Sequence, residues 1–357
     1  MLAELGAEVI KVESPDGGDY ARIMPPYTPS GSGAIFHATN YGKRSIVIDL
    51  KKPEGANLLR HLAKTADVLV EGFRPGVMAR LGCDAPALAQ INPRLVYCAL
   101  SGWGSSGPYV SKSGHDLNYA SIAGLIGTAN APQPAGGQIA DIGGAYVALS
   151  GILASLLRRE RTGAGGFVDS GLFDAAVPFN LIQFVEAAAA KSPIAQGALT
   201  GKQACYNVYV ASDGQAVALA ALEPKFWERF CLAVGRADWI DGYLLVERQP
   251  ELIAQLTSLF AEKTAAEWAA LLEPADCCFA PVLSAEEALH HPHLQARGAL
   301  AFDDQGNVHL HSPIHLGDII SETLPPPEMG ADTDSVLQNI GYTEEEIAAL
   351  RLAGIIA

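Results

Sequence analysis

Basic residues are in short supply. Twenty-four Lys and Arg stand against 39 Asp and Glu, a formal charge of −15 over 357 residues. That balance argues against general binding to nucleic acid or to an anionic membrane surface, both of which need a basic face. It leaves room for one anionic ligand held by a local basic cluster. Cysteines are few and irregular, at 83, 98, 205, 231, 277 and 278, with no CxxC pair. In a long chain this favours reduced thiols and a cytoplasmic setting over a disulfide framework. The longest apolar run, residues 144–157, reads as too short to span a bilayer. Glu4 and Glu8 interrupt the start and no basic stretch precedes them, so no cleavable signal is read there. There is no Walker loop and no GxGxxG after a strand. Gly163-Ala164-Gly165-Gly166 comes nearest, but it follows the basic helix end Arg158-Arg159-Glu160-Arg161 and reads as a helix-stopping turn. Two histidine groups, His290/His291/His293 and His309/His311/His315, have no nearby cysteine or Glu-His helix motif, so no metal site is expected.

What remains is a chain with 49% hydrophobic and 18% charged residues, enough for a sizeable core and about two domains. Residues 1–6 read as the last turns of a helix closed by Gly6, which implies that the first strand of a sheet is missing upstream. Strands at residues 8–12, 46–50, 67–71, 95–100 and 167–170 alternate with helices, and residues 14–40 read as a long loop. This spacing predicts a parallel, Rossmann-like α/β sheet, in which ligands collect beyond the strand C-termini. Lys43, Arg44, Lys51, Lys52, Arg74 and Arg80 fall near such ends, and Arg74 stands out because it is confined between Gly72 and Pro75. Composition shifts near residue 191. We expect a large domain at 1–190, a linker at 191–204, a smaller α+β domain at 205–325, and a C-terminal segment at 326–357 that returns to the large domain. In the smaller domain a hairpin turns at Ser212-Asp213-Gly214, and three helices follow.

The chemistry concentrates in Gly114-His115-Asp116-Leu117-Asn118-Tyr119 and in Ala140-Asp141-Ile142-Gly143-Gly144. Each precedes an apolar run, so two helix starts would each present one proton-transfer group. His115 would sit in a first helical turn, whose dipole keeps the ring neutral and basic. Asp141 would have to be protonated part of the time, which needs burial and is opposed by a helix N-terminus. Such a pair could flank one carbon from opposite faces, with an enolate held by helix-start N–H groups and by Tyr119. The alternative is structural, with Asp141 an N-cap and His115 a satisfied first-turn histidine.

The sequence resembles the family III CoA-transferase superfamily over nearly its whole length. The resemblance is carried by Leu5-Gly6-Ala7-Glu8-Val9-Ile10-Lys11-Val12-Glu13, Gly42-Lys43-Arg44-Ser45, the stretch Asp67-Val68-Leu69-Val70-Glu71-Gly72-Phe73-Arg74-Pro75-Gly76, Ser101-Gly102-Trp103-Gly104 and Gly107-Pro108. Gly114 to Tyr119 is similar to the α-methylacyl-CoA racemase branch. The resemblance implies that His115 and Asp141 act as the two acid/bases at C2 of an acyl thioester and that Glu223 orients His115. It further implies that Ile48, Asp49, Leu50, Lys51, Gly72, Phe73, Arg74, Arg80, Gly114, Asp116, Leu117, Asn118 and Tyr119 line the CoA and thioester site. It implies an interlocked homodimer, and no cofactor beyond the CoA of the substrate itself. In transferase members the aspartate is instead the nucleophile that carries the acyl group as an anhydride, and the histidine is generally absent. A non-catalytic acyl-CoA-binding protein is the third expectation. The chain departs from the family pattern at Tyr41 and Ser14, where basic residues are common. Bile-acid intermediates, branched fatty acids and aryl-propionates all present the same C2 centre.

Overall fold

The computed structural model describes residues 1–127, 132–189, 197–316 and 324–357. Residue 190 at the end of the expected large domain, residues 191–196 of the expected linker, and the stretch 317–323 near the expected end of the smaller domain lie outside the described residues. By packing, the chain divides into two compact units. Unit 1 comprises Met1–Ser113, Gly144–Leu172 and Leu289–Ala357; unit 2 comprises Gly114–Gly143 and Phe173–Ala288. The boundaries differ from those drawn on composition, because packing joins segments that are distant in sequence.

Unit 1 holds the parallel strands. Strand β1 (Val9–Glu13) pairs in parallel with β2 (Lys43–Val47). Strand β3 (Val68–Glu71) pairs with β4 (Val96–Ser101), which pairs with β5 (Gly166–Gly171), all in parallel. The parallel α/β expectation holds, but as separate two- and three-stranded ladders among the described residues. The expected loop at 14–40 contains a short 3-10 turn, Tyr20–Arg22, and a helix, Ala34–Thr39. That turn is anchored by Glu13, whose carboxylate is buried. It takes two bonds from Arg22, at 2.8 and 2.7 Å, one from Ser45 Oγ at 2.5 Å and one from the Asp19 N–H at 2.8 Å. Burial alone would push this carboxyl up; the hydrogen bonds outweigh it and hold the group down at about 2.

The C-terminal segment packs in this unit. Asp332 accepts from the Ser45 N–H, and Ile355 and Ile356 pair alongside Ile48 and Asp49 just past the end of β2. Val336, Leu337, Ile347, Ile355 and Ile356 then pack with Ile46, Ile48 and Leu58 in one buried cluster. Helix Ile139–Thr162 continues into this unit at Gly144. A Cβ on Gly144 would fall 2.3 Å from Leu172 Cδ2, so glycine permits the close approach. Ala148 and Ile152 pack on Cys98 of β4. The sequence reading of this region as too short to span a bilayer is corrected: the helix has 24 residues and is long and apolar enough, by length and composition, to cross one. The apolar run spans residues 144–157 alone, whereas the helix begins at Ile139 and continues to Thr162.

Unit 2 is built on an antiparallel hairpin, β6 (Tyr206–Val210) and β7 (Ala216–Ala220), extended by β8 (Phe279–Pro281). Helices Pro224–Ala233, Gln249–Phe260 and Ala265–Leu272 cover it. They bury Trp227, Phe230, Trp239, Phe260 and Trp268 in one aromatic core. Back in unit 1, β9 (Leu300–Phe302) and β10 (Val308–Leu310) form a short antiparallel hairpin. All six cysteines are free, five of them buried and Cys278 exposed.

Candidate active site

Both expected proton-transfer groups lie in unit 2. Helix Asp116–Ile122 begins one residue later than expected, so His115 is its N-cap rather than a first-turn residue. Its backbone is extended (φ −130°, ψ 173°), and its N–H donates to Asn118 Oδ1 at 3.0 Å. The imidazole is left exposed at the helix start. Tyr119 holds the approach to this turn. Its ring is buried, and its hydroxyl donates to the Gly114 carbonyl at 2.7 Å. A Cβ on Gly114 would stand 2.8 Å from Tyr119 Cε1, which accounts for glycine there. The Tyr119 hydroxyl is therefore engaged in shaping the turn, and the expectation that it holds an enolate gives way to a positioning role.

Asp116 does what neither the catalytic nor the structural reading of Asp141 foresaw. Its Oδ1 accepts from the Ala140 N–H at 2.6 Å and from the Asp141 N–H at 3.0 Å, and so caps helix Ile139–Thr162 from a neighbouring helix. Asp141 is not the N-cap; it sits in the first turn, half-buried. Its own carboxylate accepts from Gln138 Nε2 at 2.9 Å. Burial pushes the Asp141 carboxyl above its ordinary range, and the Asp116 charge pushes it further; the Gln138 hydrogen bond and nearby His115 pull the other way. This resolves the conflict between a proton donor and a helix N-terminus. Two N–H groups of that terminus, those of Ala140 and Asp141, are already bound to Asp116, whose negative charge opposes the dipole. Further unclaimed donors lie at the other helix start. Among the described residues the Asp116 and Leu117 N–H groups have no acceptor.

Glu223 caps the start of helix Pro224–Ala233, with its carbonyl accepting from the Phe226 and Trp227 N–H groups at 3.0 and 3.1 Å. Its exposed carboxylate acts electrostatically on Tyr243 and Cys278. Among the described residues no hydrogen bond or ion pair joins it to His115.

The remaining expected binding residues lie in unit 1. Ile48 is fully buried, and its backbone N–H donates to the Glu13 carbonyl at 3.0 Å. Asp49 Oδ1 accepts from the Lys51 N–H at 3.0 Å and turns the chain past β2. Leu50 is half-buried, and Lys51 Nζ pairs with exposed Asp16 at 2.7 Å. At the end of β3, Glu71 Oε2 accepts from the Phe73 N–H at 2.8 Å and so fixes Gly72-Phe73-Arg74. Arg74 and Arg80 are exposed and, among the described residues, form no ion pair. The other strand-end bases are committed. Arg44 binds Glu8 and Asp332, Lys52 holds the Ala353 and Gly354 carbonyls, and Lys43, pushed down to about 8 by burial, donates to Asn40.

Comparison with known proteins decides the family. The sequence matches the family model described as CoA-transferase family III over residues 1–333. The chain belongs to CoA-transferase family III. Within it, the α-methylacyl-CoA racemase of Homo sapiens is 33% identical over 366 residues, covering 100% of this chain and 92% of the relative. A succinate–glutarate CoA-transferase of Agrobacterium fabrum is 34% identical over 377 residues, covering 96% and 91%. The crystal structure of a CAIB/BAIF family protein from Brucella suis superposes with a TM-score of 0.79 at 30% identity, covering 95% of this chain and 93% of that one. The family III fold is thus established. Racemase and transferase relatives stand equally near, so the choice between activities rests on the chemistry of the site.

Proposed function

We propose that this family III protein epimerises 2-methylacyl-CoA thioesters at C2. The observation that carries the reading is the Asp116-capped Asp141, a half-buried carboxyl held toward its protonated form within electrostatic reach of an exposed histidine. A two-base exchange needs one group that accepts a proton and one that already carries it. His115 removes the C2 proton of one epimer, and the electron pair moves onto the thioester carbonyl. The oxyanion is met by the unclaimed Asp116 and Leu117 N–H groups. The Asp141 carboxylic acid then delivers its proton to the opposite face, and the roles reverse for the other epimer. The CoA moiety is part of the substrate. Arg74 and Arg80 are its candidate phosphate partners, and Glu223 is the candidate group that orients His115.

The second reading, a CoA transferase with Asp141 as nucleophile, is favoured by the transferase relative. It is disfavoured by the same carboxyl, because burial and the Asp116 charge push it toward its protonated form and away from the nucleophilic carboxylate. Incubation with a 2-methylacyl-CoA in D2O separates the two. Epimerisation predicts deuterium at C2 in both epimers, lost in His115→Ala. Intact enzyme that leaves C2 unlabelled, while His115→Ala still moves CoA to a free carboxylate, would establish the transferase; CoA binding with neither reaction would leave a carrier protein.

We further propose that the protein is a cytoplasmic homodimer. Support for dimerisation comes from the exposed apolar row Phe179, Leu181, Ile182, Phe184 and Val185 in unit 2.

A further inference from the structure

The hairpin β9–β10 carries two of the histidines for which no metal site is expected on sequence grounds. The fold of unit 1 supplies the third group that the sequence could not show. Glu4, in the N-terminal turn, directs one carboxylate oxygen at both rings. Its Oε1 lies 3.1 Å from His311 Nδ1 and 3.5 Å from His309 Nε2. The three ligand atoms lie within 4.8 Å of one another. Ligand atoms bound to a tetrahedral zinc at about 2.0–2.1 Å stand about 3.3–3.5 Å apart, so the two measured separations fit such a site with small adjustments.

The cluster is also held in place. Glu4 Oε2 accepts from the Ser312 N–H at 2.9 Å and lies 3.8 Å from the Met1 amine. The His309 side chain is 9% exposed, stacks on Tyr41 at 3.7 Å between ring centroids, and makes no side-chain hydrogen bond among the described residues. Tyr41 is itself fixed by His37 and Asp303, at 3.2 and 3.4 Å. The His309 and His311 ring centroids are 4.1 Å apart, with the planes at 47°. Glu4 and His309 are largely buried and His311 is partly open to solvent, so the cluster is reached from the His311 side.

We propose that Glu4, His309 and His311 form a binding site for a divalent transition ion of the zinc class, which clamps the N-terminal turn to the β9–β10 hairpin. Without the ion, a ring proton on His311 takes its place against Glu4. The donor set of two imidazoles and one carboxylate suits Zn2+ and Co2+ rather than Mg2+ or Ca2+, which prefer all-oxygen shells. The site is independent of the proposed acyl-CoA chemistry, because none of its residues belongs to that machinery.

The test is titration of the full chain, free of any polyhistidine tag, with Zn2+ by calorimetry and with Co2+ by visible absorption. The expected result is one equivalent bound, a rise in Tm with Zn2+, and d–d bands of a low-coordinate cobalt centre. Glu4→Gln, which keeps an acceptor for the Ser312 N–H, and His311→Ala, at a partly open position, should keep the metal-free Tm within a few degrees. Each should lower the affinity at least about tenfold and abolish the Tm rise. The proposal is overturned if less than one equivalent binds, or if both variants bind as the parent does. It is equally overturned if binding is lost only when His290, His291 and His293 are replaced.

Discussion

At the scale of single residues, Asp141 carries the clearest conflict between stability and function. Burial and the Asp116 charge raise its carboxyl. A group with a raised folded pKa leaves stability intact below its unfolded value and removes it as pH rises through the folded value. Ionising Asp141 therefore costs stability. Asp141→Asn keeps an oxygen for Gln138 and removes the charge. We expect its Tm at pH 7 to equal or exceed the parent's, with the difference shrinking at pH 4, while epimerisation falls by about 10²–10⁴-fold. A thermal melt series across pH and a chiral assay of the product check both halves. A variant less stable than the parent at pH 7 would mean that the carboxylate is needed ionised.

Among elements, the decisive contact joins two helices through one side chain. Asp116 opens one helix and caps another, so its loss acts in two separable ways. Asp116→Ala removes the cap and should cost about 0.5–2 kcal/mol of stability, read from denaturant midpoints. Asp116→Asn keeps an acceptor but loses the charge that lifts Asp141. In the direction where Asp141 is the acid, activity fails as pH rises through its pKa, and in Asp116→Asn that limb should move to lower pH. A limb that stays in place would assign the lift to burial alone.

This element also marks where the sequence stops being readable. The hairpin at Ser212-Asp213-Gly214, the three following helices and the strands from β3 to β5 were legible because each is fixed by local period and turn chemistry. The pair His115 and Asp141 was legible as a candidate, and family resemblance strengthened it. The Asp116 bond to Ala140 was not legible, because it depends on where two helix starts meet in space. Glu4 with His309 and His311 was hidden for the same reason, three ligands separated by most of the chain. The helix start at His115 slipped by one residue because Asn118 rather than His115 carries the cap interaction. The close packing that Gly143 and Gly144 permit was likewise not legible, because its partners, Phe179 and Leu172, lie far along the chain.

For the whole molecule, the proposed dimer makes a direct prediction. Leu181 and Val185, four residues apart on helix Leu181–Ala188, are exposed in the single chain. The parent should sediment as a dimer, and the double variant Leu181→Glu with Val185→Glu should sediment as a monomer with unit 2 still folded. A parent that sediments as a monomer at micromolar concentration would remove the dimer from the proposal.

The pairing of Ile355 and Ile356 beside Ile48 and Asp49 has a consequence for synthesis. Ile46 and Ile48 leave the ribosome long before the residues that cover them, so the nascent chain carries an apolar strand end without its lid for most of translation. Such an edge invites pairing with other chains until it is closed. Protein stopped just short of residue 355 should therefore accumulate in inclusion bodies and engage holding chaperones.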